Sequence, residues 1–231
     1  MRIPLTKYGL PQVVVYPAAL AALMLAVGWF GPARLSTHGL VFVEILLGLV
    51  LIWALAFFRD PYREPPRDES LLLSPADGTI MDIEEVDEDE FIGGRALRIG
   101  IFLSIFNTHI NRAPCDARIE RITYRRGRYI NAMNPLAGKV NESNNLAMVR
   151  TKRPENRLLV RQISGAVARR IVCAAGEGQQ LTGGEQFGMI KFGARTELYL
   201  PGGEEIEGLV HVKDKVKAGL TPLIRYRQCG E

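Results

Sequence analysis

The sequence predicts a mainly β body, a sandwich or barrel-like arrangement with some helix, that carries an N-terminal helical membrane hairpin. Three observations predict it. The apolar residues of the 231-residue chain are crowded into its first quarter, in two runs separated by a short link. The remainder is filled by short runs rich in β-branched and aromatic residues and broken by glycine. No long amphipathic period interrupts those runs, except over "GAVARRIVCA" at 165–174, where a helix stays open.

The hairpin comes first. Residues 11–30, "PQVVVYPAALAALMLAVGWF", and 39–58, "GLVFVEILLGLVLIWALAFF", are each long enough to cross a hydrocarbon core of roughly 30 Å as a helix. The link "GPARLSTH" turns them back on each other. The second run continues into "FFRDPYREPPR" and not into a small-residue cleavage site, so the pair reads as a retained anchor and not a signal peptide. Arg2 and Lys7 precede the first run and Arg59, Arg63 and Arg67 follow the second, against Arg34 in the link. The positive-inside tendency then places the protein in the cell membrane with both ends, and the body, on the cytoplasmic side. Glu44 works against a simple span, because an acidic side chain at the helix centre costs about 2.5–3.5 kcal/mol on insertion. A re-entrant hairpin and a hairpin buried in a soluble core therefore remain alternatives. Trp29 and Trp53 fit interfacial positions.

Prolines and charges in "RDPYREPPRDES" disfavour further helix and mark a boundary. The expected organisation is a hairpin over 1–60, a linker over 61–70 and a β-rich domain over 71–231. Within that domain the strand-like runs are "LLLSPADGTIMDIEEV", "RALRIGIFLS", "ARIERITYRRGRYI", "NNLAMVRTK", "RLLVRQISGAVARRIVCAA", "MIKFGARTELYLP", "EIEGLVHV" and "PLIRY". The acidic run "EEVDEDE" at 84–90 reads as an exposed loop. "HVKDKVKAG" at 211–219 reads as a late hairpin whose lysines form a solvated face.

Composition narrows the partners. A net charge of +4 beside a membrane anchor points to anionic lipid before nucleic acid. Cys115, Cys173 and Cys229 are odd in number and widely spaced, so they read as reduced thiols with neither a disulfide framework nor a metal site. The acidic run has no aligned histidine or cysteine, and no metal is expected.

Only three histidines are present. His38 lies in the hairpin link and His211 in the lysine-rich segment, and both read as incidental. His109, in "IFLSIFNTHINRAP", follows an apolar strand and precedes a proline-ended turn, which places its imidazole at a sheet edge facing a cleft or, alternatively, in a structural role. Asp77, in "SPADGTI", reads by itself as a turn former. Gly193 interrupts the strand-like run "MIKFGARTELYLP" where a side chain would otherwise pack.

Taken together and in order, "FFRDPYREPP", "SPADGTI", "THINRAP", "GAVARRIVC" and "FGARTELYLP" resemble the phosphatidylserine decarboxylases, in their short bacterial and archaeal branch. The resemblance covers nearly the whole chain. It implies a proenzyme that cuts its own backbone at a Gly-Ser bond and turns the serine into a pyruvoyl cofactor, which accepts the electrons released when carbon dioxide leaves the lipid. Here the cut would fall between Gly193 and Ala194, and glycine at 193 would leave its carbonyl unobstructed. Alanine has no hydroxyl to attack, so the present form is expected to stay uncleaved and inactive. It reads either as a trapped precursor or as a natural, non-enzymatic phospholipid-binding relative.

The resemblance also implies a triad of Asp77, His109 and residue 194, with His109 as base and Asp77 orienting its ring. His109 would serve again as the acid that protonates the product carbanion. Arg112 and Arg195 would hold the lipid phosphate or carboxylate through forked hydrogen bonds, or else be surface ion-pair residues. Where other members carry a second histidine shortly after the first, this chain has Arg112. The substrate implied is phosphatidylserine; head-group detail and homo-oligomerisation are left open.

Overall fold

The structure, a computed structural model, describes residues 5–10, 12–134, 136–152, 156–166, 170–191, 193–203 and 205–227. Arg2, Cys229 and part of "GAVARRIVC" lie outside the described residues. The chain divides into two compact units, residues 1–62 and 63–231.

The first unit is the expected hairpin: helix α1 (Gln12–Phe30), a 3-10 turn (Gly31–Ala33) and helix α2 (Thr37–Phe57). Ser36 caps α2, its hydroxyl accepting from the Gly39 N–H at 3.2 Å. Before α1, the Thr6 N–H donates to the Phe58 carbonyl at 2.9 Å, which ties the start of the unit to its end. α1 has no buried residue and α2 only Ala54 and Phe57. Leu25, Trp29, Phe42 and Ile52 are all more than 60% exposed, so the apolarity of these helices does not serve a folded protein core. Both are long and apolar enough to cross a membrane.

The second unit is mainly β. Its strands are β1 (Leu71–Leu73), β2 (Gly78–Glu88), β3 (Gly94–Leu103), β4 (Ile110–Arg112), β5 (Ala117–Arg125), β6 (Ser143–Arg150), β7 (Arg157–Ser164), β8 (Ile171–Cys173), β9 (Gln180–Leu181), β10 (Gln186–Ile190), β11 (Ala194–Pro201), β12 (Ile206–Gly208), β13 (Lys215–Val216) and β14 (Pro222–Tyr226), with a single helical turn, α3 (Ala137–Val140). Eight of them form one antiparallel sheet in the order β13-β2-β3-β11-β7-β6-β5-β9. Two three-stranded sheets, β1-β14-β12 and β4-β10-β8, contribute Leu72, Phe187 and Leu223 to the same core as Ile101, Val160 and Leu198 of the large sheet. Burying each such side chain contributes about 1.5–3 kcal/mol.

β11 sits near the middle of the large sheet, paired with β3 on one side and β7 on the other, and seven of its eight residues are buried. Alternation sends Ala194, Leu198 and Leu200 into the main core. Tyr199, on the other face, packs with Ala96, Ala147 and Leu159.

Three local expectations change. The described part of "GAVARRIVCA" is not helical: Ile171–Cys173 forms β8, whose β-branched residues pair with Gly188–Ile190 of β10. The acidic run is no loop up to Glu88. Glu84 and Glu85 lie opposite Arg98 and Leu97 in the β2–β3 ladder, with Glu84 ion-paired to Arg98 at 2.6 Å, and the Glu88 carboxylate closes the following turn on the Phe91 and Ile92 N–H groups. Residues 63–70 pack with the second unit, the Glu69 carbonyl accepting from Arg150 at 2.5 Å.

Candidate active site

Ala194 is the first residue of β11, fully buried, and it lies opposite Leu103 of β3 and Ser164 of β7. Gly193, just before it, has φ +71°, the left-handed region that glycine adopts without penalty. A Cβ built at 193 meets nothing within 4 Å. Glycine is therefore favoured here by backbone conformation. The room is supplied by Gly165: a Cβ there would lie 2.2 Å from the Gly193 carbonyl oxygen, so only glycine lets that carbonyl sit where it does.

His109 faces the same bond. Its Nε2 accepts from the Gly193 N–H at 3.3 Å, and its Nδ1 lies 2.9 Å from the Asn107 carbonyl. A backbone N–H can only donate, so Nε2 carries the lone pair and Nδ1–H donates to Asn107. Asn107 is fixed in turn, its Oδ1 accepting from the Ser104 N–H and hydroxyl at 2.9 and 2.8 Å. Downstream, β4 pairs with β10, and the His109 carbonyl accepts from the Ile190 N–H at 3.2 Å. The imidazole is thus held from both sides of the chain with its basic nitrogen toward residue 193.

Asp77 is not brought to His109. Arg63 grips both of its oxygens, at 2.6 and 2.8 Å, and the Ala218 N–H donates to it at 2.8 Å. The partner of His109 Nδ1 is the Asn107 carbonyl. Arg195 is on the far face of β11 from Ala194, where its guanidinium donates to Asp82 at 2.7 and 2.8 Å and to Glu197 at 2.8 Å. Burial works against its charge, but Glu197 and Asp82 outweigh that and hold its pKa above the ordinary arginine value. Its forked donors are committed inside the fold. Arg112 is buried in β4 and donates from Nη1 to the Gly184 carbonyl at 2.9 Å.

A family model described as "Phosphatidylserine decarboxylase" matches residues 50–223. The chain belongs to the phosphatidylserine decarboxylase family. It is 42% identical over 183 residues to the phosphatidylserine decarboxylase proenzyme of Carboxydothermus hydrogenoformans, covering 79% of this chain and 84% of that one. The proenzyme of Rhodopirellula baltica is 38% identical over 226 residues, 98% of this chain and 90% of its own. That of Symbiobacterium thermophilum is 41% identical over 210 residues, 91% and 90% of the two chains.

In this decarboxylase-family chain, a buried chain of neutral groups that sequence reasoning missed joins the two halves of the site. Asn144 Nδ2 donates to Gln162 Oε1 at 3.0 Å, Gln162 Nε2 to Asn111 Oδ1 at 2.9 Å, and Asn111 Nδ2 to the Thr196 hydroxyl at 3.1 Å. Asn111 is two residues past His109, and Thr196 two past Ala194. The network therefore fixes β4, the strand that follows His109, against β11. Its only sequence signal was an excess of amides in strand-like runs, where such residues are uncommon. Lys191 was also missed; burial, with the nearby charge of Arg170, pushes its ammonium pKa down.

The pyruvoyl group implied at residue 194 would form from a side-chain oxygen there, and Ala194 offers only a buried methyl. The residues present do not fit that group. A cavity of about 360 Å³ lined by Pro66, Leu71, Leu73, Cys115, Arg150 and Gly183 contains none of the residues around His109 and Gly193 and is separate from the site.

Proposed function

We propose that this chain is the uncleaved, inactive form of a membrane-associated phosphatidylserine decarboxylase. With serine at 194 it would cut itself between residues 193 and 194 and convert phosphatidylserine to phosphatidylethanolamine and carbon dioxide. The observation that carries this reading is the histidine: Nε2 meets the Gly193 N–H, within the residue that precedes Ala194, with its proton held on the other nitrogen. In the serine form Nε2 takes the hydroxyl proton as the oxygen adds to the Gly193 carbonyl carbon; the C–N bond between residues 193 and 194 then breaks as that proton passes to the residue-194 nitrogen, leaving an ester that elimination opens with loss of the residue-194 Cα proton and departure of the Gly193 carboxylate. Asp77, clamped by Arg63, acts in the fold around the site and not on the imidazole. The body belongs on the cytoplasmic side on the strength of Lys7, Arg59 and Arg67 against Arg34.

The test is Ala194→Ser followed by a denaturing gel. Two fragments of 193 and 38 residues, counted on either side of the bond in the 231-residue chain, are expected, with carbon dioxide released from phosphatidylserine. A single band that persists in detergent and in vesicles would sink the proenzyme reading. Alanine at 194 is itself what favours the second reading, a non-enzymatic phospholipid-binding relative, which predicts that single band together with retained lipid binding.

A further inference from the structure

The described residues of four segments, 104–113, 124–141 without 135, 165–175 without 167–169, and 191–194 without 192, converge where β11 begins. The contacts that join them are specific. Asn107 holds His109, His109 meets Gly193, the Gly193 carbonyl rests on Gly165, and Ala132 lies 3.4 Å from a Cβ built at Gly165. Asn141 Nδ2 donates to the Ser164 carbonyl at 2.7 Å, and the Lys191 N–H to the Arg170 carbonyl at 3.2 Å.

The charge and polarity of these segments are one-sided. None of them contains an Asp or Glu, although the chain has 25. Arg126, Arg128, Lys139 and Arg170 are exposed on them. So are large apolar side chains: Phe106 is 70% exposed, Leu136 57% and Met133 52%, with Ile105 beside them. Glu142, just past the second segment, is buried and accepts from the Tyr124 hydroxyl at 2.6 Å. Isolated apolar residues on a surface need no explanation, but apolar tips interleaved with cations, on segments that carry no anion of their own and where the neighbouring Glu90 is paired with Arg125, have the composition of an interfacial membrane-binding surface.

We propose that this rim is a docking surface for an anionic bilayer, separate from the helical hairpin: the apolar tips enter the headgroup region and the cations pair with lipid phosphates. Each basic side chain near such a surface adds to the attraction, which salt screens. The consequence is positional. His109 and Gly193 lie at the same end, so the rim would hold a headgroup beside the buried site while its acyl chains stay in the membrane. This rests on the proposed function for its purpose, but its test does not.

The test uses the full Ala194 chain with Trp29→Phe and Trp53→Phe, carrying either Phe106→Trp on the rim or Val212→Trp on the turn before β13, outside the four segments, where Val212 is also exposed. Each is reconstituted in phosphatidylcholine vesicles with brominated acyl chains, with and without phosphatidylglycerol, an anionic lipid that is not the proposed substrate. Quenching is expected at position 106 and not at 212. It should rise with phosphatidylglycerol and fall several-fold with Arg126→Glu and Arg128→Glu together or in high salt. Equal quenching at both positions, or quenching at 106 indifferent to lipid charge, overturns the proposal. Shielding of 106 that grows with protein concentration in lipid-free detergent would assign the rim to a second copy of the chain and overturn it as well. Because no step requires serine at 194, failure of self-cleavage leaves these outcomes unaffected.

Discussion

On one face of β11, Arg195, Glu197 and Tyr199 are joined by charged contacts; on the other, Thr196 is held by neutral amides two residues from Ala194. Glu197 accepts from Arg195 Nε at 2.8 Å and from the Tyr199 hydroxyl at 2.6 Å, with Arg161 3.8 Å away, and it is 1% exposed. Across the sheet, Asn144, Gln162, Asn111 and Thr196 satisfy one another without a formal charge. Buried charge is tolerable only in pairs, whereas amides can be linked in a row. The difference has a chemical use. A carboxylate on the inner face would accept from the His109 ring and favour its protonated form, which has no lone pair left to act as a base, and the inner face presents a carbonyl and amides instead.

The largest effect expected from breaking this contrast is at Glu197. Glu197→Leu removes one partner of a buried ion pair and leaves Arg195 with Asp82 alone, which should cost about 3–5 kcal/mol. Urea unfolding followed by circular dichroism measures it. A loss below about 1 kcal/mol would mean that the outer face is solvated like an exposed ion pair and that the two faces do not differ as described.

The inner face predicts a smaller loss of stability and a larger loss of function. Asn111→Leu strands Gln162 Nε2 and the Thr196 hydroxyl, and each buried unsatisfied group costs about 1–3 kcal/mol. In the serine-restored chain it should also slow self-cleavage by more than tenfold, a loss of about 1.4 kcal/mol or more in the barrier, because β4 and β11 lose their link. Thr196→Val, which keeps the shape and removes the acceptor, should slow cleavage likewise. Cleavage at full rate in a destabilised Asn111→Leu protein would reduce the network to packing.

How much of this was readable in the sequence depends on the range of the interaction. The hairpin was legible because about 20 apolar residues in a row need no partner to be recognised. β11 was legible from its alternation and from the glycine that interrupts it. Glu84–Glu88 was misread because its partner strand, with Arg95 and Arg98, was not considered with it; a charged run becomes a strand once the facing strand has the opposite charge. The Asn107 carbonyl that holds His109 Nδ1 was not legible, since a backbone carbonyl leaves no residue-type signal. Arg63 stood in a quoted motif and was counted as a membrane-flanking cation. Only the fold, which places it on Asp77, gives it a partner 14 residues away in sequence. β4 is three residues long, with Asn and Arg in it, too short and too polar for periodicity to detect.

A third kind of buried group sharpens the contrast further, with the smallest effect near neutral pH. Cys115 lies in the main core, and burial pushes its thiol from 9.0 up to about 12, against the opposing pull of the Arg150 charge and hydrogen bond. The unfolded chain releases this proton near 9 and the folded chain only near 12. Stability from the protonated thiol is therefore complete below about pH 9 and is lost through the interval up to about 12, at about 1.4 kcal/mol per pH unit. Lysines and tyrosines titrate in the same interval, so the measurement is a difference: urea midpoints from about pH 8 to about pH 11, spanning the start of that interval, for the parent chain and for Cys115→Ala. The alanine chain should start lower, because a side chain is missing from the core, and should then fall less steeply, so that the two curves approach each other. Parallel curves would mean that Arg150 stabilises a thiolate as readily as water does. The main core would then accept a charge beside a single partner, and the rule drawn from the two faces of β11 would not extend to it.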